Sequence, residues 1–253
     1  MRDLSLPIRI LQRFIRQAGI PRDCSVLVIG AGKDDAPVLR GAGFRNLALS
    51  NITSAGLQLN AEALSLPDDS YDLVFAHCTL HHCRSPYKAL AEMLRVARRW
   101  IVFFEPNDSV FARLAVWTGL KQPYEICAVT DNGQVRGGVM DTGVPNFIHR
   151  WTPAELKKAA LCAVPERRLR CYSFRYWDFN YTPHELEISA SSWNTFARIA
   201  QKSRSFLNLI PPIRALGNHF FGAVAKQDYH PWIKDGHFDP DYAEKNKAES
   251  QVA

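Results

Sequence analysis

Apolar residues are grouped in short blocks along the first half of the chain. The blocks, several of them β-branched, fall at residues 24–30, 45–51, 57–64, 71–77 and 100–106. Blocks of this length are typical of strands that are buried on both faces of a parallel sheet. A helical pattern of apolar residues occupies 85–99, between the last two blocks. This alternation of strands and helices predicts a doubly wound α/β sheet.

Helix-start signals and further apolar runs extend the pattern toward the C-terminus. Thr152, Pro153 and Glu155 have the spacing of a capping box with proline in the first turn. Ser85 and Pro86 give a similar start to the helix at 85–99. Additional strands are predicted at residues 167–179 and 219–227.

The rhythm of the chain divides it into three parts. We predict a lead-in helix within residues 1–23, one main domain over 24–227 with an inserted cap at about 107–150, and a polar tail at 228–253. Residues 6–18 carry one apolar stripe, which suits a helix on a membrane surface or a helix packed on the domain. We favour packing, because any surface helix shows such a stripe.

Composition and charge add few constraints. A chain of 253 residues with 47% hydrophobic and 22% charged residues can bury one good core. The net charge of +6 comes mostly from scattered arginines, without a block of like charges that would suggest a nucleic-acid arm. We therefore expect no nucleic-acid partner.

Cysteine usage and hydropathy bear on the compartment. The six cysteines include no C-x-x-C pair, and the N-terminal residues contain no continuous apolar segment like that of a secretory signal. No apolar run approaches the roughly twenty residues that cross a bilayer. We expect a reduced, cytoplasmic protein without an integral membrane segment, and peripheral membrane contact stays open.

The first predicted strand runs into a glycine turn, Gly30-Ala31-Gly32, which is followed by a predicted helix. Glycines allow a ligand to approach the backbone, and the helix start supplies free N–H groups, so this is a nucleotide-type site. A dinucleotide fingerprint would have glycine at Asp35 and an acid near Asn51. NAD is therefore disfavoured.

The stretch "FAHCTLHHC" concentrates histidine and cysteine in residues 75–83. It suits either a metal site or the rim of an active site. In a helical turn His77 and His81, or Cys78 and His82, would share a face, and Cys83 could add a thiolate. However, His77 ends a buried strand and adjacent side chains point in different directions, so we expect no metal.

The sequence "LNAEALSLPDDSYDLVFAHCTLHHCRSPYKALAEMLRVARRWIVFFEPN" resembles class I S-adenosylmethionine-dependent methyltransferases, in the small-molecule branch called type 11. The resemblance covers residues 26–107 and returns at "RWTPAELKKAA" and "HFFGAVAK". It implies a Rossmann-like, seven-stranded mixed sheet whose last strand is antiparallel and lies beside the fifth. It also implies S-adenosyl-L-methionine as the cofactor.

The resemblance assigns roles to individual residues. The cofactor-binding residues that it implies are Gly30, Ala31 and Gly32 at the methionine part, Asn51 at the ribose, Asn60, Ala61 and Glu62 at the adenine, and His77 beside the cofactor. Asp34 either pairs with the ammonium group of the methionine part or caps the helix. The loop from Cys78 to Cys83 would face the acceptor. Residues expected in the cap are Tyr124, Glu125, Arg136, His149, Arg150 and Trp151.

The predicted activity is in-line methyl transfer to a small-molecule acceptor such as a glycan, a lipid or a secondary-metabolite intermediate. His82, and less so His81 or His77, is the candidate base; alternatively the histidines only shape the loop. Four positions depart from the family pattern: Val28, Asp34, Asn51 and Asn60. They leave two other hypotheses open, a degenerate binding or scaffold protein and non-methyl chemistry at the same cofactor site. The sequence leaves the oligomeric state open.

Overall fold

A seven-stranded mixed sheet forms the centre of the computed structural model. The structure describes residues 3–53, 56–119, 121–179, 199 and 202–242. The strands of the sheet are β1 (Val26–Ile29), β2 (Leu47–Asn51), β3 (Leu57–Gln58), β4 (Tyr71–His77), β5 (Ala97–Pro106), β6 (Arg167–Tyr176) and β7 (His219–Tyr229).

The strand order is β3-β2-β1-β4-β5-β7-β6. The first five strands are parallel to their neighbours, whereas β7 is antiparallel to both β5 and β6. This arrangement confirms the predicted seven-stranded mixed sheet, with its last strand inserted beside the fifth. It also places the carboxyl ends of β1, β2, β4 and β5 along one edge, where α/β sheets bind ligands.

Helices and short turns of 3₁₀ helix surround the sheet. The helices with both ends among the described residues are α1 (Ser5–Ala18), α2 (Asp35–Ala42), α3 (Pro86–Val96), α4 (Val110–Trp117), α5 (Ile126–Thr130), α6 (Pro153–Ala163) and α7 (Pro211–Ala215). Residues 202–209 are also helical. The 3₁₀ turns are Leu80–His82 and Val139–Asp141. Both predicted helix starts are confirmed: Ser85 accepts a hydrogen bond from the backbone N–H of Lys88, and Thr152 and Glu155 form the capping box.

The two faces of the sheet carry separate cores. One core includes buried residues of α3 and α6, and the other includes α1 and α2. In α1, Leu11 and Phe14 are buried, and the Phe14 ring packs edge-on against Phe221 of β7. The apolar stripe of residues 6–18 is thus packed on the domain rather than free for a membrane surface.

Residues 57–64 differ from the strand that their alternating pattern predicts. Only Leu57–Gln58 pair with β2, at the sheet edge. Beyond them, the Asn60 side chain accepts a hydrogen bond from the backbone of Glu62, and Ala63 N–H bonds the Asn60 carbonyl. Because this local turn satisfies the backbone itself, it competes with strand pairing.

Regular secondary structure continues into the first residues of the predicted tail. Strand β7 continues to Tyr229, past the predicted end at residue 227. A short hairpin follows, formed by β8 (Ile233–Lys234) and β9 (His237–Phe238). Residues 243–253 of the predicted tail lie outside the described residues. Among the described residues, the helices are too short or too polar to cross a bilayer.

Candidate functional site

A cavity of about 220 Å³ lies at the carboxyl ends of β1, β2 and β4. Its sheet side is lined by Gly30, Asn51, Asn60 and Ala61, all of them predicted cofactor-binding residues. The histidine loop, which we define as residues 78–83, lines another side through His82 and Thr79. The inserted cap covers it with Arg136, Met140 and Asp141. The structure thus brings together the glycine turn, the histidine loop and the cap.

Gly30 occupies a position that only glycine suits. Its φ angle is +64°, in the left-handed region, and a Cβ atom there would lie 2.3 Å from Cγ2 of Thr79. The turn after β1 therefore depends on glycine for both its backbone angle and its contact with the histidine loop.

Asp35 ties the glycine turn to the end of β4. It is buried at 3% exposure, accepts a hydrogen bond of 2.7 Å from Gly32 N–H, and pairs with Nδ1 of His77 at 2.8 Å. Burial opposes the charged form of His77, but the neighbouring Cys78 and the contact with Asp35 raise its pKa well above the usual value. His77 is thus held by Asp35, and it is not among the residues lining the cavity.

The remaining predicted cofactor residues divide between cavity and scaffold. Asn51 makes two long hydrogen bonds, from its amide to Ala31 O at 3.3 Å and from Thr53 N–H at 3.4 Å. Glu62 instead accepts a hydrogen bond from the backbone of Ser85, at the start of α3. Asp34 is the residue before α2, and among the described residues its side chain makes no capping hydrogen bond.

Glu105 organises the histidine loop from within the core. This carboxylate, 0% exposed near the end of β5, accepts hydrogen bonds from the backbones of Thr79 at 2.8 Å and Leu80 at 2.7 Å. Its other oxygen contacts Nδ1 of His81 at 2.5 Å. Burial disfavours a charged His81, but Glu105 outweighs it and raises the pKa of His81 well above its usual value. Glu105 was not among the predicted site residues. It could have been found as the one acidic residue in the apolar strand "WIVFFEP".

His81 and His82 differ in what they face. His81 is buried, and its Nε2 lies 3.3 Å from Glu125 of the cap. The His82 side chain is 29% exposed, lines the cavity, and places Nε2 3.4 Å from the same Glu125 oxygen. Burial and the neighbouring His81 lower the pKa of His82. His82 is therefore the catalytic candidate with a neutral ring directed to the cavity.

The cap residues take different positions. Arg136 lines the cavity and bonds Thr53 Oγ1 at 3.2 Å and Asp141 at 3.1 Å. Tyr124 is half exposed and packs on Phe147. Of the six predicted cap residues, only Arg136 lines the cavity. Trp151 is buried against Phe103 and Tyr87, His149 pairs with Glu155, and Arg150 bonds the carbonyls of Ile148 and Gln122.

Cysteine ligation at the histidine loop receives no support. Burial raises the pKa of Cys83 to about 12, and its Sγ lies 3.6 Å from Thr79 O. All six cysteines are free. The surroundings of Cys83 therefore disfavour the thiolate, which is the form that binds a metal.

Comparison with known proteins gives a family match and related folds. Residues 41–101 match the family model described as "Methyltransferase domain". No curated protein matches the chain at a significant level.

Solved structures share the fold at low sequence identity. One match is a chain in a complex from Haloferax volcanii, between the Trm112 methyltransferase activator and a protein described as a methyltransferase. Its TM-score is 0.50 and its sequence identity is 14%, and the match covers 89% of this chain and 96% of that chain. A SAM-dependent methyltransferase from Archaeoglobus fulgidus has a TM-score of 0.47 and 15% identity, and the match covers 87% of this chain and 94% of that chain. A SAM-dependent methyltransferase from Aquifex aeolicus has a TM-score of 0.43 and 13% identity, with 89% of this chain and 99% of that chain covered.

The family match falls on α2 to β5, between the glycine turn and the strand that carries Glu105. The match over residues 41–101 indicates a methyltransferase domain. This match, together with the fold shared with solved methyltransferases, implies S-adenosylmethionine as the cofactor. The cavity residues fit it chemically, because Asn51 offers an amide for the ribose hydroxyls, and Asn60 offers one for the adenine beside apolar Ile52 and Leu59.

Proposed function

We propose that the methyltransferase domain methylates a small-molecule acceptor held between the histidine loop and the cap. The proposal is supported mainly by the placement of His82 at the cavity that also holds the predicted cofactor residues. S-adenosylmethionine supplies an activated methyl group. The protein's own tasks are then to orient the acceptor, exclude water and receive a proton.

Each element of the site has a part in this proposal. The glycine turn and the Asn51 and Asn60 amides hold the cofactor, and Arg136 closes the cap over it. His82 receives the acceptor proton, because its pKa is lowered and its ring is neutral. The cavity is smaller than the roughly 300–1,000 Å³ of most ligand sites, so we expect the Arg136 segment to shift on binding.

The domain boundaries and the cellular compartment are also proposals. We place the catalytic unit at residues 24–227, with 1–23 as lead-in and 228–253 as tail, in a reducing cytoplasm that suits free cysteines. The proposed acceptors include no nucleic acid. Peripheral membrane contact and the oligomeric state are separate questions from the chemistry.

The proposed acceptor class is tested with methyl-labelled S-adenosylmethionine. The protein is incubated separately with a size-filtered metabolite extract, with total RNA and with the protein fraction. Label in a metabolite supports the proposal, and mass spectrometry identifies the product. Label confined to RNA or protein contradicts the acceptor class, and no labelling anywhere, together with no cofactor binding in calorimetry, contradicts the enzyme proposal.

Asn51→Ala is expected to weaken S-adenosylhomocysteine binding roughly three- to tenfold, since a neutral hydrogen bond contributes about 1 kcal/mol. Calorimetry measures the affinity. Asn46→Ala is the matched control, because Asn46 is exposed just before the opposite end of β2. Equal affinities for the two variants would remove Asn51 from the cofactor site.

His82→Ala is expected to reduce labelled product by about 10²-fold or more, the usual contribution of a general base. Its affinity for S-adenosylhomocysteine should stay within about twofold of the parent, because the cofactor amides are intact. His230→Ala, at the far end of β7, serves as the control. Unchanged turnover in His82→Ala would exclude it from acceptor activation.

A further inference from the structure

Three potential metal ligands converge where the cap meets the histidine loop. His81 and His82 come from the 3₁₀ turn after β4, and Glu125 precedes α5 in the cap. One ligand atom from each residue lies within 4.8 Å of the other two. Within the part of the chain that the structure describes, this is the group of histidine, cysteine and acidic residues that has such spacing.

We propose that His81, His82 and Glu125 bind a divalent transition-metal ion, with zinc the best match. The 3₁₀ turn explains why neighbouring histidines can cooperate: their ring centroids are 4.5 Å apart, with the planes tilted by 36°. The side chains of these two adjacent residues therefore do not point apart, as expected from the sequence, but lie side by side. The sequence could not pair them with a third ligand, because Glu125 comes from the cap.

The distances suit one shared ion. Both Nε2 atoms approach the same Glu125 oxygen, at 3.3 Å from His81 and 3.4 Å from His82. Two ligands that are each about 2.1 Å from an ion at a tetrahedral angle lie roughly 3.4 Å apart. The two distances to Glu125 therefore match those between ligands that share one ion.

The surroundings orient the ligands as metal sites require. A metal-binding histidine usually donates its other ring N–H to a carboxylate, and Nδ1 of His81 contacts Glu105 at 2.5 Å. The buried amide of Asn146 donates to Glu125 at 3.2 Å and to the His81 carbonyl at 3.1 Å. These contacts fix His81 with Nε2 directed at Glu125.

Charge balance also favours an ion. Glu105 and Glu125 bring two negative charges to a mostly buried site. A divalent cation held by two neutral imidazoles would balance both charges. Burial favours the arrangement with zero net charge.

The site has room for an additional ligand. The side chains of His82 and Glu125 are 29% and 27% exposed, and His82 lines the cavity. Three protein ligands with an open position are typical of catalytic zinc, which lowers the pKa of a bound hydroxyl. Metal binding is independent of the proposed function. A role of the metal ion in catalysis rests on the proposed methyl transfer. In that reaction the acceptor would bind the ion through an oxygen atom, and the ion would replace His82 as the activating group.

The test is a titration of untagged, chelator-treated protein with Co²⁺, followed by visible absorption, and with Zn²⁺, followed by calorimetry. We expect one equivalent to bind without the charge-transfer band of thiolate ligation. His82→Ala and Glu125→Gln should each weaken binding at least tenfold. His149→Ala should not weaken metal binding, although His149 also pairs with an acidic side chain, that of Glu155 in α6, at 3.0 Å.

Several results would overturn the proposal: no stoichiometric binding, equal binding by all variants, or a thiolate band that disappears in Cys78→Ser. Circular dichroism of each variant establishes that it is folded. Cofactor binding is measured separately on the metal-free protein. A protein that binds S-adenosylhomocysteine but no ion contradicts the metal site alone, whereas one that binds the ion but no cofactor contradicts the proposed function alone.

Discussion

Replacement of Glu105 by alanine is expected to lower the free energy of unfolding by about 3–5 kcal/mol, the usual effect of breaking a buried ion pair from one side. The side chains of Glu105 and His81 are 0% and 5% exposed, so water cannot replace the lost carboxylate. The change also leaves the N–H groups of Thr79 and Leu80 without this acceptor. Urea denaturation measures the loss.

Two variants separate charge from shape. Glu105→Gln keeps an oxygen for the two backbone N–H groups and should lose less stability than the alanine variant. Asp228→Ala removes a carboxylate whose pair with Arg168 is exposed, at 93% and 54%, so it should lose about 1 kcal/mol or less. If Glu105→Ala loses no more than Asp228→Ala, Glu105 does not hold the histidine loop.

The sequence pattern predicted the sheet well, because each central strand satisfies its own local signal. Strand β4 matches its predicted bounds, β1 lies in a continuous apolar run, and β5 contains the predicted block at 100–106 and begins earlier, at Ala97. The pattern was wrong at residues 59–64, where Leu59, Ala61 and Leu64 are buried without forming a strand. Alternating burial alone cannot distinguish an edge strand from a loop stabilised by its own polar side chains.

The site was predicted in part. Gly30, Asn51, Asn60, Ala61 and His82 lie together at the cavity, and each follows or adjoins a predicted strand. The acids that organise the site were not predicted as such. Asp35 lies at the start of a predicted helix, where an acidic residue is common without a role in a site. Glu105 lies in a strand that is otherwise apolar around it. Glu125 contacts His81 and His82 only through the tertiary fold, because it belongs to the cap. Their roles depend on tertiary contacts that no local pattern encodes.

Gly30→Ala is expected to lower the free energy of unfolding by about 2–5 kcal/mol and to weaken S-adenosylhomocysteine binding. The left-handed backbone costs an alanine about 1–2 kcal/mol, and overpacking adds about 1–3 kcal/mol. The overpacking arises because the new Cβ would lie 2.3 Å from Thr79 Cγ2. Urea denaturation and calorimetry measure the two losses.

A matched glycine isolates the backbone contribution. Gly19 has the same φ angle, +64°, and no atom lies within 4 Å of the position that a Cβ would take there, so Gly19→Ala should lose only the backbone part. Thr79→Ala should then recover part of the stability of Gly30→Ala, because it removes the two nearest atoms, Cγ2 and Oγ1. Recovery of stability without recovery of affinity would show that the shape of the glycine turn, and not its packing alone, holds the cofactor. A double variant no more stable than Gly30→Ala would contradict the contact between the glycine turn and the histidine loop.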